Sequence, residues 1–260
     1  MFYEASPTLF DNRKISQKFF FTNLIHTFTK ELKRYVMKPK RIILIRHGES
    51  EANVNPHLFA SVPDYAIELT EKGREQALNA GKELKELVKD EKLYFYVSPF
   101  WRTRSTFECI AKSFPRKQFD YNEEPRLREQ EWGYLRCNED FDKVCRERGE
   151  YGIFYYRFPG GEAASDVYDR INDLLGSLHR DFTKPDFPEN CVLITHSLAI
   201  RLFIMRWFHH TVEEFECMCS PKNCDLVILE KDAEEHYQLI TPLETTESIN
   251  VRKRPIRFLE

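Results

Sequence analysis

Arg41-Ile42-Ile43-Leu44-Ile45-Arg46-His47-Gly48-Glu49-Ser50-Glu51-Ala52-Asn53 is the stretch on which the reading of this chain turns. Ile42 to Ile45 are apolar without alternation, the pattern of a parallel strand buried on both faces. The run stops at an arginine, a histidine and a glycine. In open α/β sheets, ligands bind just past the carboxyl ends of such strands, where Arg46 and His47 fall. Gly48 allows a sharp exit and a close approach of backbone to ligand. A guanidinium offers a fixed fork of donors that fits phosphate. A neutral imidazole beside it offers a nucleophilic nitrogen. The expectation is that His47 attacks a phosphate held by Arg46. The plain alternative is a strand end with a solvated Arg-His pair, and the tripeptide alone does not separate the two.

The same logic recurs down the chain. Cys191 to Thr195 is a second apolar strand, running into His196 and Ser197. Leu93 to Val97 is a third, followed by Ser98-Pro99, which reads as a helix start with Ser98 as N-cap and Pro99 at the first helical position. Arg102 and Arg104 then lie on a first turn whose free N–H groups favour an anion. Thr70 opens a helix ending near Asp90, with Ala77, Gly81, Leu84 and Val88 on one face. Residues 50–69 read as a loop and Gln118 to Tyr121 as a short strand. Val167, Ile171, Leu174 and Leu178 mark another helix, and Ile200, Phe203, Ile204 and Trp207 one more. Two late strands, Asp225 to Glu230 and His236 to Ile240, belong near a sheet edge. Strands alternating with helices give an α/β fold.

Three segments stand apart. Residues 1–38 read as an N-terminal helical extension, with Ile15, Phe19, Leu24, Phe28 and Leu32 at rough helical spacing. Its lysines leave a peripheral membrane contact open, though Glu4, Asp11 and Glu31 spoil a targeting composition. Residues 138–162 read as an insertion: a charged helix from Asp140 to Arg148, then an aromatic segment ending at Pro159-Gly160-Gly161. That segment is either a lid or a surface loop packed on the domain. Residues 242–260 form a C-terminal tail, leaving 39–241 as the main domain.

Composition narrows the classes. A chain of 260 residues suits one large α/β domain. A net charge of −3 gives no argument for nucleic acid, so an anionic substrate needs a local cationic patch. No run is long enough for a transmembrane helix, and no secretory signal is legible near the start. The seven cysteines are odd in number and include no C-x-x-C pair. The cluster Cys217, Cys219 and Cys224 lacks a standard zinc spacing, so free thiols in a reducing cytoplasm are expected and no metal site.

Two strand-end histidines, arginines at strand ends and helix starts, and an acid amid arginines supply what phosphoryl transfer needs. Here the sequence resembles the histidine phosphatase superfamily, or phosphoglycerate mutase-like family. Arg46-His47-Gly48-Glu49-Ser50-x-x-Asn53 is similar to its signature. Thr70-Glu71-Lys72-Gly73, Ser98-Pro99-x-x-Arg102-Thr103-x-x-Thr106, Arg126-Leu127-x-Glu129-x-x-x-Gly133 and Thr195-His196 resemble its further motifs in order. The resemblance implies a three-layer α/β/α sandwich with a mostly parallel central sheet. It implies His47 as covalent nucleophile, Arg46, Arg102 and His196 as the phosphate pocket, and Asn53 and Ser197 as its support. Glu129 would be the general acid and base, with Glu131 as rival. No cofactor or metal is implied, since the pocket's cations take its place.

Within that family, phosphatase is expected over mutase. Mutases continue the second histidine as H-G-N-S-L-R, whereas this chain reads His196-Ser197-Leu198-Ala199-Ile200-Arg201. Phe154 to Glu162 with Asp166-Val167-Tyr168-Asp169-Arg170 resembles a eukaryotic mutase-like subgroup, and Arg157 in it is a candidate substrate contact. A cofactor-dependent phosphoglycerate mutase and a phospho-ligand binding module are the alternatives. The substrate class stays open among phosphorylated small molecules, lipids and proteins. Sheet edges and the N-terminal helix each offer a surface for a homodimer.

Overall fold

The computed structural model describes residues 39–133 and 138–246; the expected N-terminal helix and the basic C-terminal run lie outside them. Six strands form one sheet: β1 (Arg41–Arg46), β2 (Leu93–Val97), β3 (Phe119–Glu123), β4 (Asn190–Thr195), β5 (Leu226–Lys231) and β6 (Tyr237–Leu239). Their order is β3-β2-β4-β1-β5-β6. The first four are parallel neighbours, while β5 runs antiparallel to β1, and β6 to β5. The two late strands thus extend one edge, as expected.

The unbroken apolar run of β1 has a direct structural counterpart. Ile43 and Ile45 pack with Val192 and Ile194 against Ala77, Leu84 and Val88 of α2 (Glu71–Val88) and Phe107 and Ile110 of α3 (Trp101–Ala111). Ile42 and Leu44 face the other way. With Leu193 they meet Val167, Ile171, Leu174 and Leu178 of α5 (Ala164–Phe182) and Ile200 and Phe203 of α6 (Ser197–Phe208). Burying each of these large side chains contributes roughly 1.5–3 kcal/mol. Three layers follow, helices on both faces of a mostly parallel sheet. β1 and β4 at the centre both end, side by side, in a histidine.

The stretch expected as a loop carries a short helix α1 (Glu51–Val54) and 3₁₀ turns at Pro56–Ala60 and Asp64–Ala66. Thr70 caps α2, its hydroxyl accepting from Gly73 N at 3.0 Å. That cap brings two motifs together. A Cβ on Gly48 would lie 2.4 Å from Gly73 O, and one on Gly73 would lie 2.0 Å from Glu49 O. Both glycines are therefore needed for the β1 exit to rest on the start of α2.

The start of α3 differs from expectation. The helix begins at Trp101 with Phe100 as N-cap, not at Pro99 with Ser98. Ser98 is occupied otherwise: its N–H donates to Ile194 O at 3.0 Å and its hydroxyl lies 2.9 Å from His196 Nε2.

The insertion also sorts itself differently. Its charged part forms α4 (Asn138–Tyr151), from which Phe141 and Val144 pack with Phe59, Trp132 and Phe158. In the aromatic segment Phe154 and Phe158 are buried, while Tyr151 and Tyr155 point to solvent. That segment is a packed support, and α4 is the element that covers the site. Helix α7 (Val212–Cys217) is the last helix among the described residues. The described tail stays on the domain: Cys219 N donates to Glu244 O at 2.7 Å and Thr246 N to Cys217 O at 2.8 Å.

Gly73→Ala forces a shift of the Glu49 backbone, and overpacking of this kind costs about 1–3 kcal/mol. Chemical denaturation is expected to show that loss, with a drop in turnover because the His47 loop moves too.

Candidate active site

The carboxyl ends of β1, β2 and β4 open into a cavity of about 310 Å³. Arg46, His47, Asn53, Arg102, Glu129 and Ser197, all expected at the site, line it. His47 is only 4% exposed. Its Nδ1 lies 2.7 Å from Gly48 O. A carbonyl can only accept, so Nδ1 carries the hydrogen and the neutral ring keeps its lone pair on Nε2. Burial, then the charges of Arg102 and Arg46, hold its pKa well below the usual 6.5. The ring is thus kept unprotonated, as a nucleophile requires.

Its position is set by neighbours. Gly48 N donates to Thr106 Oγ1 at 3.0 Å, and that hydroxyl donates to Arg102 O at 2.7 Å. Asn223 Nδ2 donates to His47 O at 2.9 Å and to Asn53 Oδ1 at 3.1 Å. Arg46 Nη1 donates to Pro221 O at 2.8 Å, leaving Nε buried without a partner. Arg102, 3% exposed, gives Nη1 to Asp64 O and to Asp64 Oδ1 at 2.7 and 2.8 Å. Ser197 and Leu198 bring the uncapped start of α6 to the cavity, where free N–H groups suit an anion.

His196 is brought close but does not line the wall. Its ring is fully buried, with its centroid 5.2 Å from that of His47 and, edge-on, 5.2 Å from Phe100. Its Nδ1 has no hydrogen bond and lies 3.9 Å from Glu129 Oε2. Burial, then the Arg102 charge, pushes its pKa well below 6.5. Glu129 is shifted the opposite way: burial raises its carboxyl above the usual 4.5, against the pull of Arg102. The rival Glu131 is exposed and lies outside the cavity that holds His47.

Arg157 does not reach the site. It is exposed and bound to Asp166, with Nη2 to Oδ1 at 2.7 Å. Two arginines not expected there line the cavity instead. Arg148 of α4 lies over the rings of Trp132 and Phe158 and donates to Gln130 Oε1 at 3.2 Å. Arg201 of α6, 5% exposed, donates to Phe215 O at 2.9 Å. Burial pushes its pKa down to about 10, so it stays charged near neutrality. Both have an unpartnered buried Nε, and neither has a carboxylate at ion-pair distance among the described residues. Four guanidiniums and one carboxylate make this a strongly anion-seeking cavity. Arg201 was legible in principle, since it stands four residues after Ser197 on one helix face. Arg148 and Asn223 arrive only through packing.

A further arginine, outside the cavity, holds the acid. Arg170 donates to Arg126 O, Arg128 O and Glu129 O at 2.6, 2.9 and 3.1 Å, and to Glu162 Oε2 at 3.1 Å. Glu162 in turn accepts from Glu131 N at 3.0 Å. Among the described residues, no group of three or more His, Cys, Asp or Glu is placed to hold a metal ion.

The histidine phosphatase superfamily (branch 1) profile matches residues 42–240. The chain belongs to that superfamily. It is 41% identical over 217 residues to phosphoglycerate mutase-like protein AT74H of Arabidopsis thaliana, covering 77% of each chain. It is 28% identical to the broad-range acid phosphatase DET1 of Saccharomyces cerevisiae, covering 75% of this chain and 86% of that one. A mycobacterial glucosyl-3-phosphoglycerate phosphatase structure superposes with a TM-score of 0.62 at 21% identity, covering 79% of this chain and 100% of that one. At that identity the superposition speaks for the fold, which the superfamily member shares.

Arg170→Met is expected to lower kcat roughly 100-fold, because small misplacement of a catalytic group is that costly. It should also move the alkaline limb of the pH–rate profile, which a purely structural loss would leave in place. Steady-state kinetics across pH, with a thermal unfolding control, checks this.

Proposed function

We propose that this superfamily member is a phosphatase that hydrolyses phosphate monoesters through a covalent phosphohistidine on His47. The observation that carries the reading is a neutral, buried His47 with its hydrogen fixed on Nδ1 and its Nε2 free, in a cavity lined by four arginines. Arg46 and Arg102, with Asn53 and the start of α6, hold the phosphoryl oxygens. The Nε2 lone pair attacks phosphorus as the P–O bond to the leaving group breaks. The leaving oxygen takes the proton of Glu129. Water then attacks phosphorus, its proton passes to the Glu129 carboxylate, and the N–P electron pair returns to Nε2. Arg148 and Arg201 add positive field for the charge that spreads over the phosphoryl oxygens in the transition state. His196, fully buried, keeps its ring 5.2 Å from that of His47 and its Nδ1 3.9 Å from Glu129 Oε2, and so supports both from behind the wall.

The phosphatase-named relative DET1 supports hydrolysis as the outcome. A mutase is the second reading, favoured by the unpaired donors of Arg148 and Arg201, which suit a substrate with a second anionic group. Conversion of phosphoglycerates with little phosphate release would decide for it. The six described cysteines are all free, which supports placement in a reducing compartment such as the cytoplasm. No described helix is long and apolar enough to cross a membrane.

His47→Ala is expected to abolish phosphate release from a generic aryl phosphate, while wild type leaves an alkali-stable, acid-labile phosphoryl label on the chain. Wild type and variant equally inactive from about pH 5 to 8, where His and a perturbed Glu titrate, would overturn the reading. The pH profile has a defined sign. Glu129 must be protonated to serve the leaving group, so the rate falls as pH rises through its raised pKa. His47 must be neutral, so the rate falls again only when pH drops below its lowered pKa. The optimum is therefore expected on the acid side of neutrality, and Glu129→Gln should remove the alkaline limb.

A further inference from the structure

We infer that a second cleft, opening from the catalytic cavity at Glu129, is the leaving-group site and selects phosphate monoesters of aromatic or other broad, uncharged alcohols over those of small anionic acids. This rests on the phosphatase reading and names its substrate class. The cleft has a volume of about 590 Å³, within the range of roughly 300–1,000 Å³ common for ligand sites. Glu129, Phe59 and Trp132 line both it and the cavity of His47. A proton donor must touch the leaving oxygen, so the rest of that group lies on the side to which Glu129 opens away from the arginines.

Three observations give the cleft its chemistry. Its walls are aromatic and apolar: Phe59, Val62, Tyr65, Phe100 and Trp132. Trp132 is held rigidly, stacked on Phe59 at 5.3 Å and on Phe158 at 4.6 Å, so its place in the wall is fixed. Tyr65 of the lining meets Trp101, outside it, edge to face at 6.2 Å, and the two are 54% and 42% exposed. The polar groups are negative in balance. Arg128 is bound to Glu162 at 2.6 Å, and Asp64 is bound to Arg102 at 2.8 Å. That leaves Glu131, which has no ion pair among the described residues, beside Glu129. A carboxylate on the leaving group would meet like charge here, whereas a ring would stack. The burial that such rings offer also explains why large apolar side chains are left half-open in a region otherwise well packed.

The test is the ratio of kcat/KM for 2-naphthyl phosphate to that for 3-phosphoglycerate, in wild type, Tyr65→Ala, Trp132→Ala and Glu131→Lys. Wild type should favour the naphthyl ester by tenfold or more, and each aromatic truncation should lower that ratio by roughly tenfold, in line with the strength of aromatic contacts. Glu131→Lys should move it further toward phosphoglycerate. Because Tyr65 and Glu131 are exposed, these two variants keep the fold even if Trp132→Ala does not. An unchanged ratio in both overturns the proposal while leaving the phosphatase reading intact. If wild type releases phosphate from neither ester, the phosphatase reading fails. The cleft is then decided by calorimetric titration of 2-naphthylmethylphosphonate against 2-hydroxyethylphosphonate. Tighter aryl binding that is lost in Tyr65→Ala upholds it, and equal affinities overturn it.

Discussion

The hydrogen bond from His47 Nδ1 to Gly48 O, at 2.7 Å, is the contact on which the rest of the site depends. It fixes the tautomer, and so decides which ring nitrogen carries the lone pair. It forms only because the chain turns sharply at Gly48, and that turn is possible only because Gly48 and Gly73 lack side chains. The backbone there is pinned from three sides, by Thr106, Asn223 and the Thr70 cap of α2. Helices on one face of the sheet thus set the angle of a ring at its end.

Electrostatics then act on that geometry in two directions. Desolvation and arginine charge disfavour protonated His47 and His196, while desolvation, with a smaller push from Asp64, favours the protonated form of Glu129. One environment yields a neutral base and a neutral acid, because burial penalises whichever form is charged. The cost is a set of buried nitrogens without partners: Arg46 Nε, Arg148 Nε, Arg201 Nε and His196 Nδ1. Unmade hydrogen bonds of this kind are expensive in a folded protein. Their concentration around one cavity fits a guest with several acceptor oxygens.

The frame was legible from residue patterns. Unbroken apolar runs at Ile42–Ile45 and Cys191–Thr195 meant strands buried on both faces, and both are central. The Ala77–Leu84–Val88 spacing gave α2, because helical periodicity is local. Ser98 misled, since a serine before a proline usually caps a helix, whereas here its hydroxyl is claimed by His196 from 98 residues away. Arg157 misled for a similar reason: Asp166, nine residues on, takes its guanidinium and turns it to solvent. Arg148 was one of several arginines in an insertion, and nothing local said which would face the cavity. Its placement follows from Phe141 and Val144 packing α4 onto Phe59, Trp132 and Phe158.

The sequence by itself determined the strands, the helices that flank them, and the residue types that follow strands: Arg46 and His47, His196 and Ser197, then Arg102 on a helix's first turn and Glu129 in a loop. These depend on short-range periodicity and on motifs whose spacing lies within one turn or one strand. Only the tertiary structure decided which charges share a cavity, and that His196 sits behind the wall rather than in it. It also decided that Glu129 rather than Glu131 borders both cavity and cleft. Those outcomes rest on contacts between residues far apart in the chain, where a guanidinium's position is fixed by what its helix packs against and not by its neighbours in sequence.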